Sequence, residues 1–335
     1  MSSSDMPLEK QPRRSPRGRN LLLVLAFLPW QLYATGQDKT TTPPFSDSLF
    51  RNAAATYGLP TDSLDRKLKK QRRNRALIVT GSTALAAGGL YTYLQKTWWA
   101  DGTTDFHFDN GRDWRYSNNL DKMGHFMGGM MAADLYYDVF RWMDMDNQKA
   151  AWWAFGMGTA MHLAIEVKDG YATDWGFSVP DIVAGSIGSL MPLLRLKSEF
   201  FRHTDFKFSY WRRSDKYFQA TGKEPQFNID DYINQTYWMT VNMKYMTGGK
   251  AEWMPDWLGL SVGWGIEAES WNTNPADPGT GGKPEFYLSP DIDLVRLFKP
   301  KKPFWKFTLQ KLNYLKFPMP TLQLTQKVKL WPVFW

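Results

Sequence analysis

The sequence predicts an α+β protein in which an apolar four-helix domain is followed by a small antiparallel sheet or a partial β-barrel. Two patterns predict this class: long apolar segments fill residues 76–200, whereas apolar and polar side chains alternate beyond about residue 205. The 335 residues suffice for one large or two ordinary domains. We divide the chain into a signal peptide (1–36), a linker and basic segment (37–75), an apolar helical domain (76–200) and an antiparallel β-rich domain (201–335).

The N-terminus has the layout of a secretory signal. Basic residues between positions 13 and 19 precede an apolar run over residues 21–33, and polar residues follow Ala34. We expect cleavage near Ala34. Because Leu32 is unfavourable three residues before that cut, an uncleaved N-terminal anchor is the alternative. Both arrangements predict export, and we expect the protein in the outer membrane or the periplasm.

A basic stretch over residues 65–75, DRKLKKQRRNR, directly precedes an uncharged segment over residues 76–94 that is long enough to cross a bilayer. Such a charge run beside an apolar helix is typical of a membrane-surface anchor. The formal net charge of +8 favours an anionic partner. In an exported protein this predicts membrane lipid, especially anionic lipid head groups, and other envelope proteins as partners, and no nucleic acid.

Apolar segments predict the helices, and alternating segments predict the strands. The helices are expected near residues 76–94, 121–142, 150–167 and 180–196. Strands are expected over residues 235–245, 258–268, 286–298 and 321–330. A total of five or six strands is fewer than the roughly eight of the smallest membrane barrels. We therefore expect a curved sheet packed on the helices, with outer aromatic side chains at a lipid interface.

Six ionisable residues interrupt the apolar helices: Asp121, His125, His162, Glu166, Asp169 and Asp181. Charges in such sequence are costly, and they persist where they pair, face a bundle interior or perform a function. Residues three, four or seven positions apart share a helix face, so the first two should form one polar stripe and the next three another. We expect the stripes to meet, with His125 close to Glu166. An imidazolium or a shared cation would then compensate the buried carboxylate.

One imidazole with two or three carboxylates suits a divalent metal, or a general acid and base. We therefore predict four catalytic residues: Asp121, His125, Glu166 and Asp169. Three of these, His125, Glu166 and Asp169, are the predicted ligands of a divalent metal cofactor.

A structural explanation of the same residues stays open. Lys122 or Lys168 would neutralise the acids at helix ends or in buried salt bridges. Asp181 is explained by helix capping, because Ser178 and Asp181 form a capping box with Pro180 in the first turn.

Four motifs in order carry a resemblance to a known family: DKMGH at 121–125, EVKDG at 166–170, GFSVPD at 176–181 and AGSIG at 184–188. This order resembles the YfiM-like family of predicted periplasmic lipoproteins of unknown function, in its longer, β-extended members. It is more distantly similar to VanZ-like membrane proteins. The resemblance covers roughly residues 120–190. It implies an architecture and an envelope location, and no reaction.

Two departures limit what the resemblance implies. VanZ-like proteins usually carry Glu-x-x-Gln and a later Asn, where this chain has Asp169 and Gly185. The chain contains no cysteine, so the lipid-bearing cysteine of a lipoprotein has no counterpart among these residues.

The leading functional prediction is an exported, outer-membrane-associated envelope protein with a structural, lipid-binding or assembly-related role. The alternative is a membrane-embedded enzyme, with or without a metal, that acts on a lipid or a lipid-linked phosphate. Nucleotide-driven, Rossmann and serine-hydrolase activities lack support, because none of their glycine-containing motifs is present.

Overall fold

A computed structural model describes residues 61–335 except 226, 270 and 274–278, with the backbone alone for 61–65, 67 and 68. The predicted signal peptide (1–36) and the start of the predicted linker lie outside the described residues. The rest of the chain forms a mixed α+β fold with a helical part followed by an antiparallel sheet.

The helical part begins with a long helix and continues with shorter ones: α1 (Thr61–Thr97), α2 (Leu120–Trp142), α3 (Asn147–Asp169), α4 (Val179–Ser189), α5 (Met191–Lys197) and α6 (Glu199–Arg202). A 3₁₀ turn over Ser117–Asn119 leads into α2. The single helix predicted near 180–196 is wrong, because the chain is interrupted at Leu190. Pro192 has no N–H to continue the hydrogen-bond ladder and instead stands in the first turn of α5.

Close helix packing in the described part of the chain centres on α2, which contacts α3 and α4. Helix α1 differs, since most of it is exposed and Leu85 is 77% exposed. Its C-terminal end alone enters a core cluster, where Leu94 packs with Trp99 and Ala172. The predicted packing of four apolar helices is therefore replaced by a compact group around α2, with α1 lying beside it through side-chain contacts such as that of Arg75 with Asp144 at 2.5 Å.

Two helical stretches, Lys69–Thr97 and Val179–Lys197, are long and apolar enough to cross a membrane. Core helices of soluble proteins meet the same criteria of length and composition, so this observation alone does not place either stretch in a bilayer. The second stretch includes the break between α4 and α5.

The sheet has six antiparallel strands in sequential order: β1 (Thr204–Tyr210), β2 (Gln235–Asn242), β3 (Leu258–Ile266), β4 (Pro284–Ile292), β5 (Met319–Gln323) and β6 (Lys329–Phe334). It packs on the helical part through a shared core, in which Leu120 and Met127 of α2 meet Tyr237 and Ile266 of the sheet. The free edge of β1 is partly covered, because Phe208 exchanges backbone hydrogen bonds with Tyr314 and Lys316 at 2.8 and 2.9 Å.

Three predicted strands differ from the observed ones, although apolar and polar residues alternate over the whole predicted length. The strand predicted over 235–245 ends at Asn242, whose side chain caps α8 (Met243–Met246). The strand predicted over 286–298 ends at Ile292, because Asp293 caps α9 (Leu294–Phe298). The segment 321–330 is not one strand but parts of β5 and β6 with a turn between them. Two further helices complete the fold: α7 (Lys216–Thr221) before β2, and α10 (Pro303–Leu312) before β5.

One face of the sheet buries a set of matched charges. Lys207 Nζ lies 2.8 Å from Asp291 Oδ2, and both side chains are completely buried. Lys316 Nζ lies 3.6 Å from the other oxygen of Asp291. A second pair joins Arg213 to Glu285 at 3.0 Å. Each of these buried carboxylates therefore has a cation beside it.

Candidate metal centre

A cleft lies where the beginnings of α2 and α4 meet the end of α3. Its described lining includes eight carboxylic acids: Asp109, Asp113, Asp121, Glu166, Asp169, Asp174, Asp181 and Asp230. One arginine, Arg112, is among the same lining residues. The cleft is thus acidic in a chain whose net charge is +8.

Glycines bring α2 and α4 into backbone contact beside this cleft. A Cβ atom added to Gly129 would lie 2.0 Å from the carbonyl oxygen of Gly185, and one added to Gly188 would lie 1.9 Å from that of Phe126. His125 is one turn before Gly129, and Asp181 is one turn before Gly185. The close approach of the helices therefore also places this histidine against this carboxylate.

Among the residues that the structure describes, two groups suit a cation, and His125, Glu166 and Asp181 form the first. One candidate ligand atom from each lies within 4.8 Å of the other two. His125 Nδ1 is 3.9 Å from Glu166 Oε1, and His125 Nε2 is 3.6 Å from Asp181 Oδ2. These separations are too long for hydrogen bonds. They leave room between the groups, and they show that His125 approaches Glu166 as the spacing predicts.

Asp113, Asp121 and Asp181 form the second group, and Lys122 occupies its centre. The Lys122 ammonium lies 2.5, 2.7 and 2.8 Å from Asp113, Asp121 and Asp181. Although burial opposes its charge, these three acids raise the pKa of Lys122, so it stays protonated. Because Asp181 belongs to both groups, the ammonium stands beside the first group as a fixed positive charge.

Lys122 compensates the carboxyl groups of the cleft only in part, since it contacts Asp121 through Oδ2 alone. Glu166 Oε1 and Asp121 Oδ1 are buried and accept no hydrogen bond. Burial, with the charges of Asp181 and Asp169, raises the pKa of Glu166 to about 9. Burial likewise raises the pKa of Asp121 to about 8. At neutral pH both therefore retain a proton unless a cation is present.

Burial, with the nearby charge of Lys122, lowers the pKa of His125 to about 4. The imidazole is therefore neutral at physiological pH and has a lone pair available for a metal. A charged imidazolium of His125 is therefore disfavoured as the partner of the buried Glu166 carboxylate. A cation shared by the two residues is the other partner that the sequence suggests.

Ser178 orients three of the acids from the start of α4. Its backbone N–H donates to Glu166 Oε2 at 3.0 Å, and its hydroxyl donates to Asp113 Oδ2 at 2.5 Å. The same hydroxyl accepts from the backbone N–H of Asp181 at 3.3 Å. The predicted cap at Ser178 with Pro180 in the first turn is therefore confirmed. The reciprocal contact of a capping box is not formed, because the Ser178 N–H donates to Glu166 and not to Asp181. The Asp181 carboxylate lines the cleft instead.

The other sequence-derived candidates lie around these groups. Asp169 lines the cleft but belongs to neither group, because its Oδ1 accepts a hydrogen bond from Trp99 Nε1 at 2.5 Å. His162 packs edge-on against His125 with ring centroids 5.7 Å apart, and its Nδ1 lies 3.2 Å from the Gly158 carbonyl oxygen.

The expected partner Lys168 lies over the Trp99 ring at 5.5 Å, whereas Lys122 does bind the acids. Asp181, and not Asp169, thus lies together with His125 and Glu166. Asp113 was missed altogether, because it lies in a loop without helical periodicity.

Residues 112–197 match the model of a family described as predicted periplasmic lipoproteins (DUF2279). This segment contains α2 to α5 and most of the acids of the cleft. No curated protein and no solved structure matches the chain. The prediction of an exported protein of the periplasm or outer membrane is confirmed by the family match, whereas the closer likeness to YfiM and VanZ stays a prediction. Over residues 112–197 the chain is similar to a periplasmic lipoprotein family of unknown function.

Proposed function

We propose that this envelope protein binds one divalent cation through His125, Glu166 and Asp181 and uses it to act on an anionic lipid or lipid-linked phosphate. The observation that carries the proposal is the convergence of a neutral imidazole and two buried carboxylates on one space. Three protein ligands leave coordination positions for water and substrate, as in catalytic metal sites.

The unpartnered oxygen of Glu166 supports a cation at this position. A buried carboxyl group with no hydrogen bond costs free energy, or it keeps its proton. A divalent ion would supply the missing partner to Glu166 and Asp181 together. Oxygen and imidazole ligands suit zinc, manganese or iron better than a thiolate-seeking metal.

Lys122 supports a phosphate-bearing substrate. Enzymes with two metal ions use two neighbouring positive charges to bind and stabilise a phosphoryl group. Here the ammonium of Lys122 occupies the second carboxylate group and shares Asp181 with the proposed metal position. The acidic lining repels an anion as long as the metal position is empty. We therefore expect the substrate to bind only to the metal-loaded protein.

A role without chemistry, in structure, lipid binding or assembly, is the competing proposal. The exposed apolar residues of the sheet favour it, and it makes no demand on the buried acids of the cleft. Metal binding and phosphate release therefore separate the two proposals.

The test is titration of the metal-stripped full chain with manganese and with zinc, followed by calorimetry and metal analysis. Loss of a group that merely orients a ligand costs about 10- to 100-fold in metal affinity. We therefore expect Glu166→Gln and Asp181→Asn to weaken binding by at least about 100-fold. Asp169→Asn is the matched control, since Asp169 lines the cleft outside both groups.

Failure of the unaltered protein to bind either metal would overturn the metal site, as would an equal loss in Asp169→Asn. The enzymatic part is tested with phosphatidic acid and a polyprenyl phosphate as substrates. Metal-dependent phosphate release that disappears in Glu166→Gln supports it. Tight metal binding without release from either substrate would reject it in favour of a structural metal.

A further inference from the structure

We propose that the apolar face of the sheet docks on a bilayer that contains anionic lipid. The proposal concerns a surface away from the metal centre and does not depend on the function proposed for the cleft. It rests on three observations. The sheet buries its polar face, a continuous apolar row crosses the strands on the other face, and three exposed lysines lie at the rim of the sheet.

The sheet buries its polar face. Successive side chains of a strand point to opposite faces. In β4 the buried positions are Glu285, Tyr287, Ser289 and Asp291, and the positions between them are apolar. In β3 the buried positions include Ser261, whereas Val262 beside it is 48% exposed. Antiparallel sheets of soluble proteins normally place the apolar face inside and the polar face in water.

The opposite face carries an apolar row that crosses all six strands. Cross-strand pairing aligns its members side by side: Phe206, Met239, Val262, Leu288, Leu322 and Leu330. At the β1 end the row is covered by the helical part, where the rings of Phe206 and Phe126 are 4.8 Å apart. Towards β6 it emerges, and Leu330 is 66% exposed. Phe286 and Leu324 extend the exposed part.

The buried face cannot turn outward to hide this row. Its charges are matched within the sheet by Lys207 with Asp291 and by Arg213 with Glu285. Exposing that face would bring these pairs into water, and it would also expose the buried aromatic cluster of Trp238, Tyr287 and Phe334. The inverted arrangement is therefore a stable property of the fold. It is the distribution found where the outer surface of a sheet meets lipid.

The charges beside the row fit anionic head groups. Lys283, Lys327 and Lys329 are exposed. The turn between β5 and β6 lies against the start of β4, because the backbone N–H of Phe286 donates to Thr325 Oγ1 at 2.8 Å. The three lysines therefore lie at the same rim of the sheet, where β4 starts and where β5 turns into β6. Lysines near an anionic membrane surface strengthen binding by roughly fivefold each. An exported protein of the periplasm or outer membrane has such a surface within reach.

The first experiment measures co-flotation of the full-length protein with vesicles of phosphatidylcholine alone and of phosphatidylcholine with phosphatidylglycerol. Val262→Thr with Leu330→Thr removes apolar surface at two exposed positions and keeps side chains that favour strands. We expect this variant to lose at least about tenfold in binding to both vesicles. Trp114→Thr with Phe227→Thr is the control, since these exposed side chains lie outside the sheet.

The lysines are tested by Lys283→Gln, Lys327→Gln and Lys329→Gln together. We expect this variant to lose the preference for phosphatidylglycerol, by roughly a hundredfold for three lysines at low salt, while binding to phosphatidylcholine persists. Unchanged flotation of the apolar-row variant would overturn the proposal. So would a dimer of the unaltered protein that the row substitutions dissociate while vesicle binding is unaffected, because the face would then join two copies of this chain.

A second measurement does not rely on removing side chains. The chain has no cysteine, so Val262→Cys and Trp114→Cys each provide a single position for a polarity-sensitive dye. We expect a blue shift on addition of anionic vesicles for the dye at the first position and none at the second. Equal responses at both positions would contradict docking through the sheet.

Discussion

In the sheet, Asp291 has two buried cations beside it, Lys207 at 2.8 Å and Lys316 at 3.6 Å, whereas in the cleft Glu166 has none within salt-bridge distance except a histidine that burial keeps neutral. Both regions remove carboxyl groups from water. In the sheet Asp291 and Glu285 each have a cation beside them, and in the cleft the carboxyl groups outnumber the cations. The difference distinguishes carboxyl groups that are paired within the fold from those that, in the function proposed above, bind a cation.

The largest expected effect comes from removing the charge of Asp291, which pairs with Lys207 in the sheet. Asp291→Asn leaves Lys207 buried without its counter-ion, which should lower the free energy of unfolding by about 3–5 kcal/mol. Urea unfolding followed by tryptophan fluorescence measures it. Asp256→Asn is the control, because Asp256 pairs with Lys244 at the surface and the midpoint should barely move. A similar midpoint for both variants would mean that the buried pair does not hold the sheet.

The second prediction concerns the pH dependence of stability that the excess carboxyl groups of the cleft should cause. Folding raises the pKa of Glu166 from 4.5 to about 9 and that of Asp121 from 3.8 to about 8. The folded protein thus keeps protons that the unfolded chain releases, and the associated stability is lost as pH rises through the folded pKa values. Between pH 6.5 and 8 the metal-free protein should lose up to about 1.4 kcal/mol per pH unit for each carboxyl group.

Asp169 titrates within this window with the same sign, because burial raises its pKa to about 7. The pKa values of His125 and His162 fall from 6.5 to about 4, so their opposite contribution ends as the unfolded histidines lose their protons near the lower edge of the window. Burial lowers the pKa of Lys316 to about 8, where the window ends. Chemical unfolding at a series of pH values gives the slope, and Glu166→Gln should remove part of it. Stability that rises with pH over this range would contradict the assignment of excess carboxyl groups to the cleft.

The smallest expected effect is the coupling between His125 and Glu166. Without metal both side chains are neutral near pH 7, so His125→Ala and Glu166→Ala should be nearly additive in thermal stability. With saturating metal they share one ion, and a coupling free energy of about 1 kcal/mol or more should appear. Coupling of equal size in both conditions would favour a direct pair over a shared cation.

Periodicity sufficed for the main helices, and local caps explain where it failed. The segments predicted near 121–142 and 150–167 correspond closely to α2 and α3, since long amphipathic or apolar repeats leave few alternatives. The strand predicted over 286–298 was too long because the alternation continues past Asp293, whose side chain caps a helix instead. Alternation reports which positions share a face, and a single capping residue changes the backbone without changing that pattern.

The candidate site was partly predictable for a similar reason. Helical spacing placed His125 and Glu166 on facing stripes, which requires no knowledge of the loops. Asp181 has a sufficient local explanation in the sequence as part of a predicted capping box, and that explanation hid its position in the cleft. Its distance of four residues from Gly185 repeats the distance of His125 from Gly129, and this shared spacing was the available signal. Asp113 had no such signal, because its position depends on how a loop folds over α4.

Ser178 makes the three acids that it contacts act as a unit. One residue at the first turn of α4 holds Glu166 through its backbone and both Asp113 and Asp181 through its hydroxyl. A displacement of this one residue would therefore alter the hydrogen bonds of all three acids together.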